Sequence, residues 1–561
     1  MSNDTNLSPV EHIKVRSNYL RGTIVESIAD TATGALAEDD TQLSKFHGFY
    51  QQDDRDVRAE RTQQKLEPAY SFMIRVRVPG GIAAPQQWLA MDALATEHAN
   101  QTLRLTTRQA FQFHGVVKRD LKETIRRINY SLLDTIAACG DVNRNVMCTP
   151  LAEVSAVHEG AYRAAMQISE HLTPHTRAYH EIWLDGEKVT GTTDPKKEDN
   201  EPIYGKTYLP RKFKISVAIP PSNDVDVFAQ DLGYIAIEEA GKLVGFNVTV
   251  GGGMGLTHGE PATYPRVADV IGFCAPEQVV AVAEHVVGIQ RDNGDRANRK
   301  HARLKYTIDD RGIDWLKAEL TRRLGFELGE ARPYGFTSRG DQFGWQQDRH
   351  GKWHLTLFIP EGRVRDNGVA KTLSGLRALA KIHKGDFRLT ANQNLVVSGI
   401  SDRDRPAVEK LLDMYGIQRL QSISPLKQQA LACVAFPTCG LAMAEAERYL
   451  PYLLGRVEAL LDGYGLCNEP ISLRITGCPN GCARPYLAEI ALVGKAPGRY
   501  NLFLGGDALG HRLNRLAREN IDESQILETL DGLFAEFAAS RKQNESFGDF
   551  ANRRATFVEA A

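Results

Sequence analysis

Two pairs of cysteines constrain this chain more than any other feature. Five residues separate Cys433 from Cys439, and three separate Cys478 from Cys482. Each pair sits among turn formers: Pro437 and Gly440 around the first, Gly477, Pro479 and Gly481 around the second. Such residues let backbone wrap closely around a compact object. Four soft thiolates are what a four-iron, four-sulfur cube needs, one per iron. Structural zinc also takes four cysteines, but its pairs are usually separated by two to four residues, and the first pair here is wider. Four inert buried thiols are the other alternative, since free cysteine is among the most buried residue types.

The rest of the composition narrows the setting. A chain of 561 residues predicts about two to four domains. Hydrophobic content of 42 % and charged content of 25 % suit a globular protein. A net charge of −2 gives no reason to expect nucleic acid or an anionic membrane as partner. No apolar run is long enough to span a bilayer. Met1-Ser-Asn-Asp-Thr-Asn6 lacks the basic and apolar regions of a signal peptide. Eight cysteines in so long a chain are no disulfide scaffold, and a reducing cytoplasm is expected. Cys139, Cys148, Cys274 and Cys467 have no partner at ligand spacing and read as ordinary thiols.

Two internal repeats organise the chain. Residues 1–65 are polar and read as an extended arm with helical fragments. Ser71–Gly81 and Leu103–Gly115 then alternate like strands, with helices expected over Gln86–Ala99 and Lys122–Ala138. The same grammar returns as a strand over Trp353–Gly362, a helix over Thr372–Ile382 and a strand over Phe387–Gly399. Arg104-Leu-Thr matches Arg388-Leu-Thr, Gln109 matches Gln393, and Gly115 matches Gly399. A fainter repeat relates Gly245–Gly253 to Arg499–Gly506, each closing a larger unit, with helices over His158–His171 and Pro276–Gln290 in the first. The second carries helices over Leu441–Leu461, interrupted at Pro451, and Glu523–Ser540. The expected domains are an arm (1–65), half of a small ferredoxin-like α/β domain (66–139), a large α/β domain (140–335), the other half of the small domain (336–419) and a second large domain (420–561). The cysteine pairs fall only in the second large copy. Val250-Gly-Gly-Gly-Met-Gly255 matches neither G-x-G-x-x-G nor a Walker loop. It reads as a turn approaching something bulky. No other segment reads as a nicotinamide or flavin site either.

Cations occupy strand-like apolar patterns: Arg75 and Arg77, Arg104 and Arg108, Arg144, and Arg211, Lys212 and Lys214. Singly, each reads as a solvated or salt-bridged side chain. As a set they call for an anionic ligand, because inward charges need partners.

The segments CVAFPTC, LAMAEAER and TGCPNGCARP, with RVRVPGG, RLTTRQAFQFHG, VNRNV and YLPRKFK, resemble the haemoprotein (beta) subunit of assimilatory sulfite reductase, within the sirohaem nitrite and sulfite reductase family. The resemblance runs from about Phe46 to Phe547-Gly-Asp-Phe550. It implies an α+β fold, a pseudo-twofold multi-domain architecture built from an internal repeat. It also implies one sirohaem and one [4Fe-4S] cluster per subunit. Cys433, Cys439, Cys478 and Cys482 would be cluster ligands, with Cys482 shared with the sirohaem iron. Arg75, Arg144, Lys212 and Lys214 would hold sulfite on the distal face. Arg104 and Arg108 would pair with sirohaem carboxylates, and Gln112 and His114 would lie near the macrocycle. The activity implied is the six-electron reduction of sulfite to sulfide, towards cysteine. Electrons would come from NADPH through a flavoprotein (alpha) subunit carrying FAD and FMN in a hetero-oligomer. A ferredoxin-dependent sulfite or nitrite reductase, a zinc-bound structural protein and a plain cluster electron carrier are the alternatives.

Overall fold

A computed structural model describes residues 6–175, 201–417 and 423–558, and between 175 and 201 only the strands Ile182–Leu184 and Glu187–Thr190. The first five residues, on which the reading against a signal peptide partly rests, lie outside the described residues.

The fold is α+β and duplicated twice over. One five-stranded sheet runs Phe49–Asp53, Tyr70–Val76, Phe111–Val116, Leu103–Leu105, Arg363–Val364. Its counterpart runs Gly344–Gln347, Trp353–Leu357, Leu395–Ile400, Asp386–Leu389, Ile82–Ala83. The edge strands are exchanged: Arg363 of the second half pairs with Arg104, and Ile82 of the first pairs with Arg388. The arm is less extended than its polarity suggests. Its strand Phe49–Asp53 pairs antiparallel with Tyr70–Ile74, and Leu20, Leu43, Phe46 and Phe49 are buried in the main core.

Leu103–Gly115, expected as one strand, is a hairpin. Thr106 Oγ1 accepts from the amides of Arg108 and Ala110, and Gln109 turns left-handed at φ 48°. Thr390 does the same for the amides of Asn392 and Asn394, with Gln393 at φ 68°. The repeated Arg-Leu-Thr is therefore turn chemistry, a hydroxyl satisfying backbone donors so that the chain reverses.

The two large units carry sheets of the same order. The first runs Met147–Cys148, Ile215–Ala218, Leu232–Glu239, Lys242–Val250, Asp269–Cys274; the second runs Leu431–Ala432, Leu473–Thr476, Ile490–Ala496, Arg499–Leu504, Arg515–Ile521. In both, the first three strands are parallel and the last two antiparallel. Pro451, expected to interrupt a helix, begins one instead. It occupies the first turn of Leu450–Gly463, where its missing N–H costs nothing, and residues 441–449 are non-helical. Glu523–Ser540 is helical as expected, started by Asp522, whose carboxylate accepts from the Gln525 amide.

Candidate functional site: a cysteine quartet beside a cationic cavity

The cysteines emerge from the ends of two neighbouring parallel strands. Cys433 follows Leu431–Ala432 and Cys478 follows Leu473–Thr476, a common place for chemistry in sheets of this kind. Cross-links fix the two loops together: the amide of Cys433 donates to Ile475 O (3.2 Å), and those of Met443 and Ala444 to Gly477 O (2.7 and 3.1 Å). The Gly477 amide donates to Cys433 Sγ (3.3 Å) and Asn480 Nδ2 to Cys478 Sγ (3.4 Å). Burial first, and then Cys482, pushes up the thiols of Cys433, Cys439 (to about 11) and Cys478. Cys482 is thus the common neighbour of the other three.

Gly481 stands at φ 66°, and a Cβ there would meet the Met254 carbonyl at 2.6 Å. The amide of Leu256 donates to Pro479 O (3.1 Å). The bulky object that the glycine-rich Gly251–Gly255 approaches is therefore the cysteine turn itself.

No three described His, Cys, Asp or Glu side chains converge on a point that one metal ion could fill. A four-iron core takes one thiolate per iron, and four neighbouring cysteines supply that number.

Cys482 is exposed while its neighbours Gly481 and Ala483 are buried. It therefore opens on a space, and the space is lined by cations. Arg75 and Lys212 lie within electrostatic reach of Cys482. Arg75 donates to Ala138 O (3.4 Å) and Cys139 Sγ (3.1 Å), and Arg144 to Ala138 O (3.4 Å) and Gly140 O (2.6 Å), so both arginines are anchored on one loop. Lys212 and Lys214 retain accessible surface, yet both are desolvated. Both observations hold together if they line an internal cavity. Burial, then Arg211, holds Lys212 down to about 7; burial, then Lys212 and Arg108, holds Lys214 well below its ordinary value. Neither ammonium makes an ion pair or hydrogen bond with a described residue. Unmatched buried cations beside an exposed thiol fit a polyanionic macrocycle and an oxyanion.

The remaining expected contacts divide. Arg75, Gln112, Arg104 and Arg363 form one row across four strands, in register. Arg108 joins the cavity cluster, brought down to about 9 by burial and then Arg484, and donates to Gln230 and the Asn145 carbonyl. Arg104, expected to meet sirohaem carboxylates, is committed elsewhere: it donates to Glu447 and to Ala432 O (3.0 Å), and Arg363 holds the same carboxylate (2.6 and 2.9 Å). These contacts tie it to the loop that carries Cys433. His114 is buried against Arg363 (3.2 Å), and burial and that cation hold it neutral.

Several participants gave no signal in the sequence. Arg303 is fixed by Asp231 through three contacts of 2.7–2.9 Å and adds charge behind the lysines. Asp226 receives Arg339 (2.9 Å), Arg474 (2.7 Å) and Arg484. Arg484 Nη1 donates to Thr107 O (3.0 Å), and Thr107 Oγ1 donates to Cys482 O (3.0 Å), which ties the cysteine turn to the Thr106–Ala110 hairpin.

This duplicated scaffold, with a thiolate quartet opening on a cationic cavity, defines a reductase that joins an iron–sulfur cluster to an anionic tetrapyrrole. A model described as "Nitrite/Sulfite reductase ferredoxin-like half domain" matches residues 64–129 and 346–415. One described as "Nitrite and sulphite reductase 4Fe-4S domain" matches residues 164–328, in the copy without the cysteines, so the match there is to the scaffold. The Sulfite reductase [NADPH] hemoprotein beta-component of Myxococcus xanthus is 63 % identical over 98 % of this chain and 96 % of the relative. That of Geobacillus kaustophilus is 58 % identical over 97 % of this chain and 95 % of the relative. The structure of Mycobacterium tuberculosis NirA superposes with a TM-score of 0.79 at 25 % identity, covering 99 % of this chain and 97 % of that one. The chain belongs to the family of sulfite reductase haemoprotein beta-components, whose cofactors are sirohaem and a [4Fe-4S] cluster.

Proposed function

We propose that this chain reduces sulfite to sulfide as the haemoprotein subunit of an NADPH-dependent assimilatory enzyme, feeding cysteine synthesis in the cytoplasm. Its electrons come through a flavoprotein (alpha) component carrying FAD and FMN. The names of the relatives support the NADPH dependence and the second component, and no described helix is long and apolar enough to cross a membrane. The observation that carries the reading is the set of cations, Lys212 and Lys214 unpaired among them, gathered beside Cys482. We read 66–139 and 336–419 as halves of one small domain, 140–335 and 420–561 as the large domains, and 1–65 as an arm completing the first sheet.

Cys433, Cys439, Cys478 and Cys482 would hold the cluster. Cys482 would also face the sirohaem, with Arg108, Gln112 and His114 on the same side. When bound, the two groups supply an open iron position for substrate and a route for electrons. Arg75 and Arg144 bind and orient the oxyanion through guanidinium forks. Lys212 and Lys214 neutralise charge on the sulfite oxygens and deliver the protons with which each leaves as water. Burial and neighbouring cations hold Lys212 below its ordinary value, which eases release of its proton, and the desolvated surroundings strengthen each of these interactions.

The test is Lys214→Met in the cofactor-loaded enzyme, driven by methyl viologen with sulfite and with nitrite. The sirohaem and cluster spectra should remain, while sulfite turnover falls roughly 10²–10³-fold. Wild-type turnover in the variant would remove Lys214 from the mechanism. Faster turnover of nitrite than sulfite by the wild type would reassign the substrate.

A further inference from the structure

We infer that Lys14, Arg296 and Arg299 form a clamp that positions the substrate-binding cations Arg144 and Lys212, acting on them through the backbone. The inference rests on the functional reading above.

The two loops that carry those cations lie side by side. The amide of Leu209 donates to Asp141 O (3.0 Å), that of Phe213 to Val142 O (3.1 Å) and that of Arg144 to Phe213 O (2.9 Å). Just before Lys212, three consecutive carbonyls are each taken by a different cation. Arg296 Nη2 donates to Tyr208 O (2.6 Å), Lys14 Nζ to Leu209 O (3.0 Å) and Arg299 Nη1 to Pro210 O (3.3 Å). The cations are tied to one another by two carboxylates. Arg299 holds Asp141 with two contacts (2.6 and 2.9 Å), and Lys14 lies 3.8 Å from it. Glu11 receives both Lys14 and Arg296, the arginine at 2.6 Å. The Ser8 amide donates to Arg296 O (2.9 Å), which fastens the first helix of the arm, Pro9–Arg16, to the segment that carries both arginines.

Two features set this cluster apart from ordinary packing. Lys14 is fully buried, and Glu11 and Asp141 beside it are each 2 % exposed. A lysine there forfeits its hydration, and an apolar side chain would fill the space without that loss. What the lysine adds is a donor for the Leu209 carbonyl. The second feature is Tyr208, which stands left-handed at φ 56°. A bulky residue keeps such a conformation only where its surroundings over-determine it. Carbonyls gripped at Tyr208 and at the next two residues supply that constraint, and the strained turn leads straight into Arg211 and Lys212.

The clamp acts by geometry. A buried carbonyl stripped of its donor is costly, so losing one clamp residue lets the backbone move towards another partner. Lys212 lies two residues beyond Pro210, so the displacement reaches the cavity at once. Through the paired loop it reaches Arg144 as well. A shift of about 1 Å between an anion and the groups that orient it is enough to cost up to about a hundredfold. The three clamp residues are therefore positioning residues, and the arm that supplies Lys14 serves the site from a distance.

The experiment measures kcat and KM for sulfite, with methyl viologen as donor, in cofactor-loaded wild type, Lys14→Met, Arg299→Lys and Asp40→Asn. Asp40 is the control. It is buried in the same arm, where it holds the Thr23 amide (2.9 Å), the Thr23 hydroxyl (2.8 Å) and the Ser27 hydroxyl (2.5 Å). Lys14→Met should raise the sulfite KM about tenfold or more. Arg299→Lys, which keeps the charge and gives up the fork, should raise it severalfold. Loosened packing alone reduces the share of active enzyme, so it lowers kcat and leaves KM in place; that is the result expected of Asp40→Asn. A wild-type KM in Lys14→Met overturns the clamp, and so does an equal rise in Asp40→Asn. Should Lys14→Met take up no cofactor, Arg299→Lys decides, and an unchanged KM there overturns the clamp. Absence of sulfite turnover in wild type overturns the functional reading, and the clamp's purpose with it.

Discussion

The two large units share a scaffold and differ in their chemistry, and their register shows where. Met147 pairs with Ser216 as Leu431 pairs with Arg474, so Thr149 falls where Cys433 stands. The spacing that carries Ile215 onto Leu473 and Leu232 onto Ile490 carries Asp224 onto Cys482 and Asp226 onto Arg484. Thr149 Oγ1 donates to Asp224 Oδ1 (2.8 Å), so the counterparts of two cluster cysteines meet as a plain hydrogen bond. Around them Thr390, Asn392 and Asn394 all donate to Asp341 (2.6–3.0 Å). The first copy thus closes this region with side chains, while in the second the cysteines stand open towards cations that the first copy and the small domain supply. Duplication retained the fold in both copies, and the ends of two strands decide which one can hold a cofactor.

Four substitutions test that contrast, in order of expected effect. Cys482→Ser should abolish the coupled sirohaem and cluster spectrum and all sulfite turnover, while Asp224→Ser at the mated position leaves the spectrum intact. Equal spectra from the two variants would erase the distinction between the copies. Asp226→Asn should lower the unfolding free energy by about 3–5 kcal/mol in urea titration, because it strands three buried arginines. A cost of about 1 kcal/mol or less would class the cluster with exposed ion pairs. Asp224→Asn should change the pH dependence of the apoprotein. Burial pushes Asp224 up to about 7, above its unfolded value of about 3.9. Its proton is held more tightly in the folded state, so its contribution to stability is full below pH about 4 and is lost as pH rises to about 7. The asparagine variant should flatten that decline, by at most roughly 4 kcal/mol, seen as converging urea midpoints at pH 5 and pH 7.5.

What the sequence disclosed follows from how local each signal is. The cysteine pairs are legible because turn formers and ligands lie within a few residues of one another. The small-domain repeat is legible because Arg-Leu-Thr and Gln recur at fixed spacing around a turn. The misplaced cations are legible because Arg75, Arg108, Lys212 and Lys214 interrupt strand-like apolar patterns in the sequence. The hairpin at Thr106–Ala110 was hidden, since a threonine turn and alternating strand residues look alike until the hydroxyl finds its amides. Asp231 with Arg303, Glu447 with Arg104, and Asp226 with its arginines could not be read at all. Their partners lie 72, 343 and up to 258 residues away, and nothing in either local stretch marks them.

The contact between Asp226 and Arg484 has a consequence for symmetry. These residues occupy matched positions in the two large units, yet they carry opposite charges and pair. Were the two units identical here, the position would face itself, aspartate against aspartate or arginine against arginine, and like charges would repel. The seam therefore depends on the units being different: making them alike at this one position would turn an attraction into a repulsion.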